Sequence, residues 1–218
     1  MKNALIDRLC LGTAQFGMDY GIANKSGKAS KAEIFSIMGN ACENGIDTVD
    51  TANSYGDSET AIGEYIKKTN RDLRIISKTP HFGRSGRPDV RAAFRNTLER
   101  LQQERIYGYL VHSFDDIKAH GKLMWDDMRS LKDEGLIDKI GVSLYRPEEL
   151  NYIFDNDFHC DIVQVPYSIF DRRFEDYFTI LKDKGAAIYA RSIFLQGLSF
   201  MSIDEIGKKF PLAMDKIG

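Results

Sequence analysis

Short apolar runs alternate along this chain with longer stretches in which apolar residues recur every three or four positions. The runs at 9–14, 48–52, 74–79, 107–112, 139–144, 161–166 and 187–192 predict seven strands. Several are continuous rather than alternating, the pattern of strands buried on both faces. Helical periods fill the intervals. Ser30 and Glu33 form a capping-box pattern ahead of Ile34, Ile37, Met38 and Ala41, with Gly45 as the stop. Pro88 is predicted to open the third helix, which places Val90, Phe94, Leu98 and Leu101 on one face. Phe170, Phe174, Tyr177, Phe178 and Leu181 predict a later helical stripe ending near Gly185, and a short helical stretch follows at 204–209. Trp125, within a helix predicted at 124–131, and the aromatic stripes read as core rather than as cofactor contacts.

Strands and helices in strict alternation argue for parallel βαβ units and an α/β fold. Seven units in series point to a (β/α)8 barrel of the TIM type, in which sites form at the C-terminal ends of the strands. An open doubly wound sheet needs a Gly-rich phosphate turn after its first strand, and Gly12-Thr13-Ala14-Gln15-Phe16-Gly17 does not fit G-x-G-x-x-G. A closed barrel of eight strands requires one more unit than the seven found here. The expectation is therefore a single barrel domain over 1–218, incomplete at its C-terminal end, with self-association through the open edge.

Composition narrows the function classes. The 218 residues suit one domain with a sizeable core, and 43% hydrophobic and 28% charged residues are ordinary for a globular protein. A formal net charge of −2 gives no basic surface for nucleic acid or anionic membrane. No apolar run approaches the roughly 18 residues of a membrane span, and residues 1–8 lack the apolar core of a signal peptide. Cys10, Cys42 and Cys160 are widely separated and read as reduced thiols, which points to the cytoplasm. His81, His112, His120 and His159 form no cluster with metal-ligand spacing, so no metal is expected.

The candidate chemistry gathers in Asp50-Thr51-Ala52-Asn53-Ser54-Tyr55-Gly56-Asp57-Ser58-Glu59. Asp50 and Tyr55 lie five residues apart, Lys78 ends the third predicted strand, and His112 ends the fourth. A free phenol with a pKa near ~10 is a poor acid at neutral pH, and a neighbouring ammonium is expected to lower that value. Asp50 is the natural counter-ion for Lys78, and His112 is suited to orienting a reacting oxygen. Such a set protonates a carbonyl oxygen while another group delivers hydride. Gly- and Arg-rich residues 81–88 read as a solvated loop.

The D-T-A-x-x-Y-G-x-S-E string resembles the signature of the aldo-keto reductase superfamily. Ile75-Ile76-Ser77-Lys78-Thr79, Tyr109-Leu110-Val111-His112, Ile140-Gly141-Val142-Ser143 and Gln164-Val165-Pro166-Tyr167-Ser168 resemble its later strands in order. Arg191-Ser192-Ile193-Phe194-Leu195-Gln196-Gly197-Leu198 resembles the seventh strand and loop of members tied to bacterial sugar metabolism. The resemblance implies Asp50, Tyr55, Lys78 and His112 as the catalytic set. It implies NADP(H) as cofactor, held by Gly12, Thr13, Asp50, Ser143, Gln164, Arg191 and Ser192. The sequence departs from the pattern at Leu144, where relatives carry asparagine, and at Arg191, where many stack a tyrosine on the nicotinamide. The basic segment that grips the 2′-phosphate in relatives is missing as well. The implied function is reduction of an aldehyde, ketone or sugar carbonyl, with Tyr55 as general acid. A barrel of the same family that binds without turnover is the competing reading.

Overall fold

The computed structural model describes residues 6–84 and 86–211. Residues 1–5, Ser85 and 212–218, which the single-domain expectation also spans, lie outside the described residues. Seven strands among the described residues form one parallel sheet in sequential order: β1 Leu11–Gly12, β2 Thr48–Asp50, β3 Arg74–Lys78, β4 Ile106–Val111, β5 Ile137–Ser143, β6 Ile162–Pro166 and β7 Ala187–Arg191. After β1 come a helical turn, α1 Ala14–Gly17, and then α2 Lys31–Glu43. The later strands are followed in turn by α3 Ser58–Thr69, α4 Val90–Leu101, α5 Phe114–Asp133, α6 Pro147–Asp155, α7 Phe178–Asp183 and α8 Ile203–Lys209. This is a curled partial (β/α)8 barrel, as the alternation predicts, and no ladder joins β7 to β1 among the described residues.

Strands β3 to β6 are largely buried on both faces, which explains their apolar runs, whereas β1 and β7 at the sheet edges are partly exposed. Outward positions such as Val49, Ile75, Tyr109, Val142 and Val163 pack under the helices with Phe94, Trp125, Leu150 and Phe174. Inward positions Ile76, Leu110 and Ile162 form a second cluster inside the barrel, floored by Tyr107 and Tyr189. Each such fully buried aliphatic or aromatic side chain stabilises the fold by roughly 1.5–3 kcal/mol.

The capping box on α2 forms as expected, with Glu33 N donating to Ser30 Oγ (3.3 Å) and Ser30 N donating to Glu33 Oε2 (2.8 Å). Three local expectations are corrected. The first strand is two residues long, because Thr13 leaves the extended conformation (ψ 15°) as the N-cap of α1 and the helical turn begins at once. Pro88 precedes α4 without opening it, since Asp89 is the cap and accepts from Ala92 N (2.8 Å). The aromatic stripe does not begin a helix at Phe170. Ser168 and Asp171 exchange backbone hydrogen bonds (3.0 and 3.2 Å), and that tight turn leaves Phe170 74% exposed, whereas Phe174 and Leu181 are buried.

Candidate active site

The signature string folds into the junction between β2 and α3, and its small polar residues are structural. Thr13 Oγ1 donates to Asp50 O (2.8 Å), Ser58 Oγ donates to Thr13 Oγ1 (2.8 Å), and Thr51 Oγ1 donates to Ser58 Oγ (3.0 Å). Glu59, fully buried, accepts from Ser77 Oγ (2.5 Å) and from Arg100 Nε (2.7 Å), tying α3 to β3 and α4. Gly56 has φ 54°, and a Cβ there would meet Gly17 O at 2.3 Å. A Cβ on Gly17 would in turn meet Tyr55 O at 1.6 Å. Two glycines in backbone contact thus fix the loop that carries Tyr55.

Asp50 and Lys78 are the last residues of adjacent strands. Lys78 is 0% exposed, and its Nζ donates to Asp50 Oδ1 (2.7 Å), Asp50 Oδ2 (2.8 Å) and Thr51 O (2.8 Å). An ammonium has three donors, and all three are used. Asp50 is bonded to Lys78 and does not cap the helix beyond it. Asp50 Oδ1 also accepts from Gln164 Nε2 (2.8 Å), and Gln164 Oε1 accepts from Ser143 Oγ (3.3 Å). A polar chain therefore crosses the barrel mouth from β5 through β6 to β2 and β3.

Tyr55 lies over this chain, with Lys78 Nζ 5.1 Å from its ring centroid and the His112 ring edge-on at 6.0 Å. The sequence-based expectation of a lowered phenol pKa is corrected. Burial, and next the Asp50 carboxylate, push the Tyr55 phenol up. The Lys78 charge is already matched by Asp50, so the pair offers Tyr55 a carboxylate as much as an ammonium. Burial, followed by the Lys78 charge, lowers His112 to about 4. His112 Nδ1 lies 3.3 Å from Ser54 Oγ, and its backbone N donates to Thr79 Oγ1 (3.2 Å). At neutral pH the imidazole is uncharged and the Tyr55 phenol keeps its proton.

Two cavities flank these residues. One, of about 770 Å³, is bordered by Gly12, Thr13, Asp50, Tyr55, Arg191 and Ser192, and by residues of the loops after β1 and β7. The other, of about 820 Å³, is bordered by Ser54, His112, Tyr145, Arg146, Asp171 and Arg173. Both volumes fall within the roughly 300–1,000 Å³ of small-molecule sites. Tyr55 borders the first cavity and His112 the second, so the two rings lie between the cavities. Of the residues assigned to the cofactor, Gly12, Thr13, Asp50, Arg191 and Ser192 border the first cavity together. Ser143 and Gln164 are buried behind it in the Asp50 chain.

Tyr145 was not singled out by sequence. The Arg191 guanidinium stacks 3.9 Å from its ring centroid, and Arg191 Nη2 donates to Leu144 O (3.2 Å). The only signal was adjacency to Ser143 and Leu144, because stacking across strands leaves no local pattern. Arg191 Nε is buried with no hydrogen-bond partner. Among the described residues there is no group of three or more His, Cys, Asp or Glu placed to hold a metal ion, and no helix long and apolar enough to cross a membrane.

With this geometry in hand, comparison with known proteins gives a consistent answer. The aldo/keto reductase family model matches residues 8–213, and the chain belongs to the aldo/keto reductase family. The structure of a protein assigned as an aldo-keto reductase from Pseudomonas aeruginosa aligns with a TM-score of 0.72 at 26% identity, covering 95% of this chain and 80% of that one. The uncharacterized oxidoreductase YqkF of Bacillus subtilis is 26% identical over 201 residues, 86% of this chain and 65% of its own length. The methylglyoxal reductase DkgA of Salmonella typhimurium is 27% identical over 155 residues, 71% of this chain and 54% of its own length. The chain thus spans less than two thirds of these curated relatives.

Proposed function

We propose that this protein, as one barrel domain over 1–218, is an NADP(H)-dependent oxidoreductase that reduces an aldehyde, ketone or sugar carbonyl to an alcohol. One observation carries the reading: Asp50, Tyr55, Lys78 and His112 converge from three strand ends and one loop between two cavities. The residues fit the cofactor. Gly12 has open space where a Cβ would stand, and the unpaired Arg191 Nε on the same wall is a donor in need of an acceptor. NADPH supplies hydride when bound. Gly12, Thr13, Asp50, Arg191 and Ser192 border its cavity, while Ser143 and Gln164 reach the carboxamide end if their bonds to each other and to Asp50 are exchanged.

The chain's own residues then perform the proton chemistry. Neutral His112 donates one ring N–H to the substrate oxygen and holds it near Tyr55. Tyr55, kept protonated by its surroundings, gives its proton to that oxygen as negative charge develops there. Lys78 and Asp50 fix the floor under the phenol, and the Arg191 charge on the same wall limits the electrostatic cost of the phenolate left behind. The relatives' names support the class, since one is an oxidoreductase and another a methylglyoxal reductase. The unpaired edges of β1 and β7 are the place where a second copy would pair.

Mixing the purified protein with NADPH and a panel of methylglyoxal, aromatic aldehydes and aldoses tests the reading. Loss of NADPH absorbance with at least one class of carbonyl is expected. A folded protein that binds NADPH and turns over none of them supports the competing reading, a binding protein of the same fold.

A further inference from the structure

The second cavity holds a histidine that the proton chemistry does not use. His81, in the loop after β3, borders that cavity together with His112. Its Nδ1 lies 2.9 Å from Asp116 Oδ1, and the Asp116 side chain is 0% exposed. Asp116, in the first turn of α5, also accepts from Phe82 N (3.2 Å) and Gly83 N (3.1 Å). His120, one turn further along α5, places Nε2 2.7 Å from Gly83 O. The start of a loop that the sequence reads as solvated is thus fastened to α5.

A buried carboxylate persists only when its oxygens are satisfied, and two amides and one imidazole satisfy them here. The consequence for His81 is a fixed ring. Nδ1 carries its proton toward Asp116, and Nε2 has no hydrogen-bond partner among the described residues. The side chain is 63% exposed, so that nitrogen is open to a ligand. A hydroxyl both donates and accepts, so Nε2 binds one whether or not it carries a proton; a carboxylate is bound by the protonated ring alone.

The rest of the wall suits a neutral ligand. Lys118, Arg146 and Arg173 border the cavity, but so do Asp115, Glu149 and Asp171. Lys118 pairs with Asp115 (2.7 Å) and Arg173 with Asp171 (2.7 Å), while Glu149 accepts from Tyr145 N (2.7 Å) and Arg146 N (3.1 Å). An anion would therefore meet as many carboxylates as cations. Phe114 and Tyr145 offer ring faces to a carbon skeleton, and Tyr145 is 56% exposed. We propose that His81, oriented by Asp116, is a specificity-determining residue that binds a hydroxyl of an uncharged polyhydroxylated carbonyl substrate, a sugar without phosphate or carboxylate. The proposal rests on the reductase reading above and selects one of its substrate classes. His112, half-buried, takes the carbonyl end, and the more exposed His81 meets a hydroxyl further along the chain.

The test measures kcat and KM with NADPH for D-erythrose, D-erythrose 4-phosphate and butanal, which share one chain length, at concentrations expressed as free aldehyde. Wild type is compared with His81→Ala, His81→Gln, Asp116→Asn and the double variant His81→Ala with Asp116→Asn. Wild type should favour D-erythrose over the other two. His81→Ala should raise KM for D-erythrose roughly 3- to 10-fold with kcat held, and shrink its advantage over butanal by the same factor. His81→Gln keeps a donor and an acceptor and should recover most of the loss. Asp116→Asn should act as His81→Ala does and add little to it in the double variant. Equal losses on D-erythrose and butanal in His81→Ala, no loss on either, or losses that add fully in the double variant would overturn the assignment. Wild type that prefers the phosphate or butanal, or that reduces aromatic aldehydes alone, overturns it with the reductase reading intact. Wild type that reduces no carbonyl defeats the reductase reading, and the assignment with it.

Discussion

Lys78 carries a charge with none of its side chain exposed, and Asp50 is its only carboxylate partner among the described ion pairs. Removing one member of such a pair leaves the other buried and uncompensated, a loss of about 3–5 kcal/mol. Lys78→Met should therefore lower the thermal midpoint sharply, and adding Asp50→Asn should recover part of the loss; calorimetry reads both. If Lys78→Met melts like wild type, the pair is not holding the barrel mouth. His112 makes a pH prediction. Its folded value of about 4 lies below the ordinary 6.5, so the unfolded chain binds the proton first as pH falls. The stabilising contribution is full above about pH 6.5 and is lost as pH falls toward about 4. Stability of His112→Gln measured against urea should fall less steeply than wild type across that window. A parallel pH dependence for the two proteins would contradict the burial argument. The convergence of Asp50, Tyr55, Lys78 and His112 was legible because three of them lie at or just after strand ends and Tyr55 lies in the loop after β2. The direction of the Tyr55 shift was not, because it depends on how Lys78 divides its charge between Asp50 and the phenol.

At the scale of elements, strand existence was readable from apolar runs, since burial on both faces leaves few polar interruptions in β4 and β6. Boundaries were less so. Asp89 rather than Pro88 caps α4, and the Ser168–Asp171 turn interrupts an aromatic spacing that mimics a helix. Side-chain caps and tight turns compete with periodicity over only a few residues, so a longer pattern hides them. The edges of the sheet carry a separate prediction. Ala187 N donates inward to Asp161 O (2.8 Å), so by alternation the amides of Ile188 and Ala190 face the open side of β7. Pairing of a second copy there should give a concentration-dependent mass above 24.8 kDa by light scattering. Ala190→Pro removes an edge donor without breaking the ladder to β6, and it should hold the protein at the monomer mass. Equal monomer masses for both proteins at all concentrations would refute edge pairing.

Across the whole molecule, the open side of the sheet is not bare at its C-terminal rim. The loop after β1 reaches the segment after β7 through Ala23 and Gln196, Lys25 and Glu205, and Lys209 and Ile22 O. These links bridge a gap that strand counting identified but could not describe, because contacts across nearly the full chain length leave no trace in local pattern. They also border the cavity that Asp50, Tyr55 and Arg191 line, so barrel rim and candidate site are joined. The role on which the proposed function turns is that of Tyr55 as proton donor in a carbonyl reduction. Single-turnover hydride transfer from bound NADPH, with NADPH affinity measured in parallel for wild type and Tyr55→Phe, tests it most directly. Tyr55→Phe should leave affinity unchanged and lower the transfer rate by roughly 100- to 10,000-fold, the usual share of general acid catalysis. Transfer at the wild-type rate in Tyr55→Phe would contradict it and move the proton to another donor.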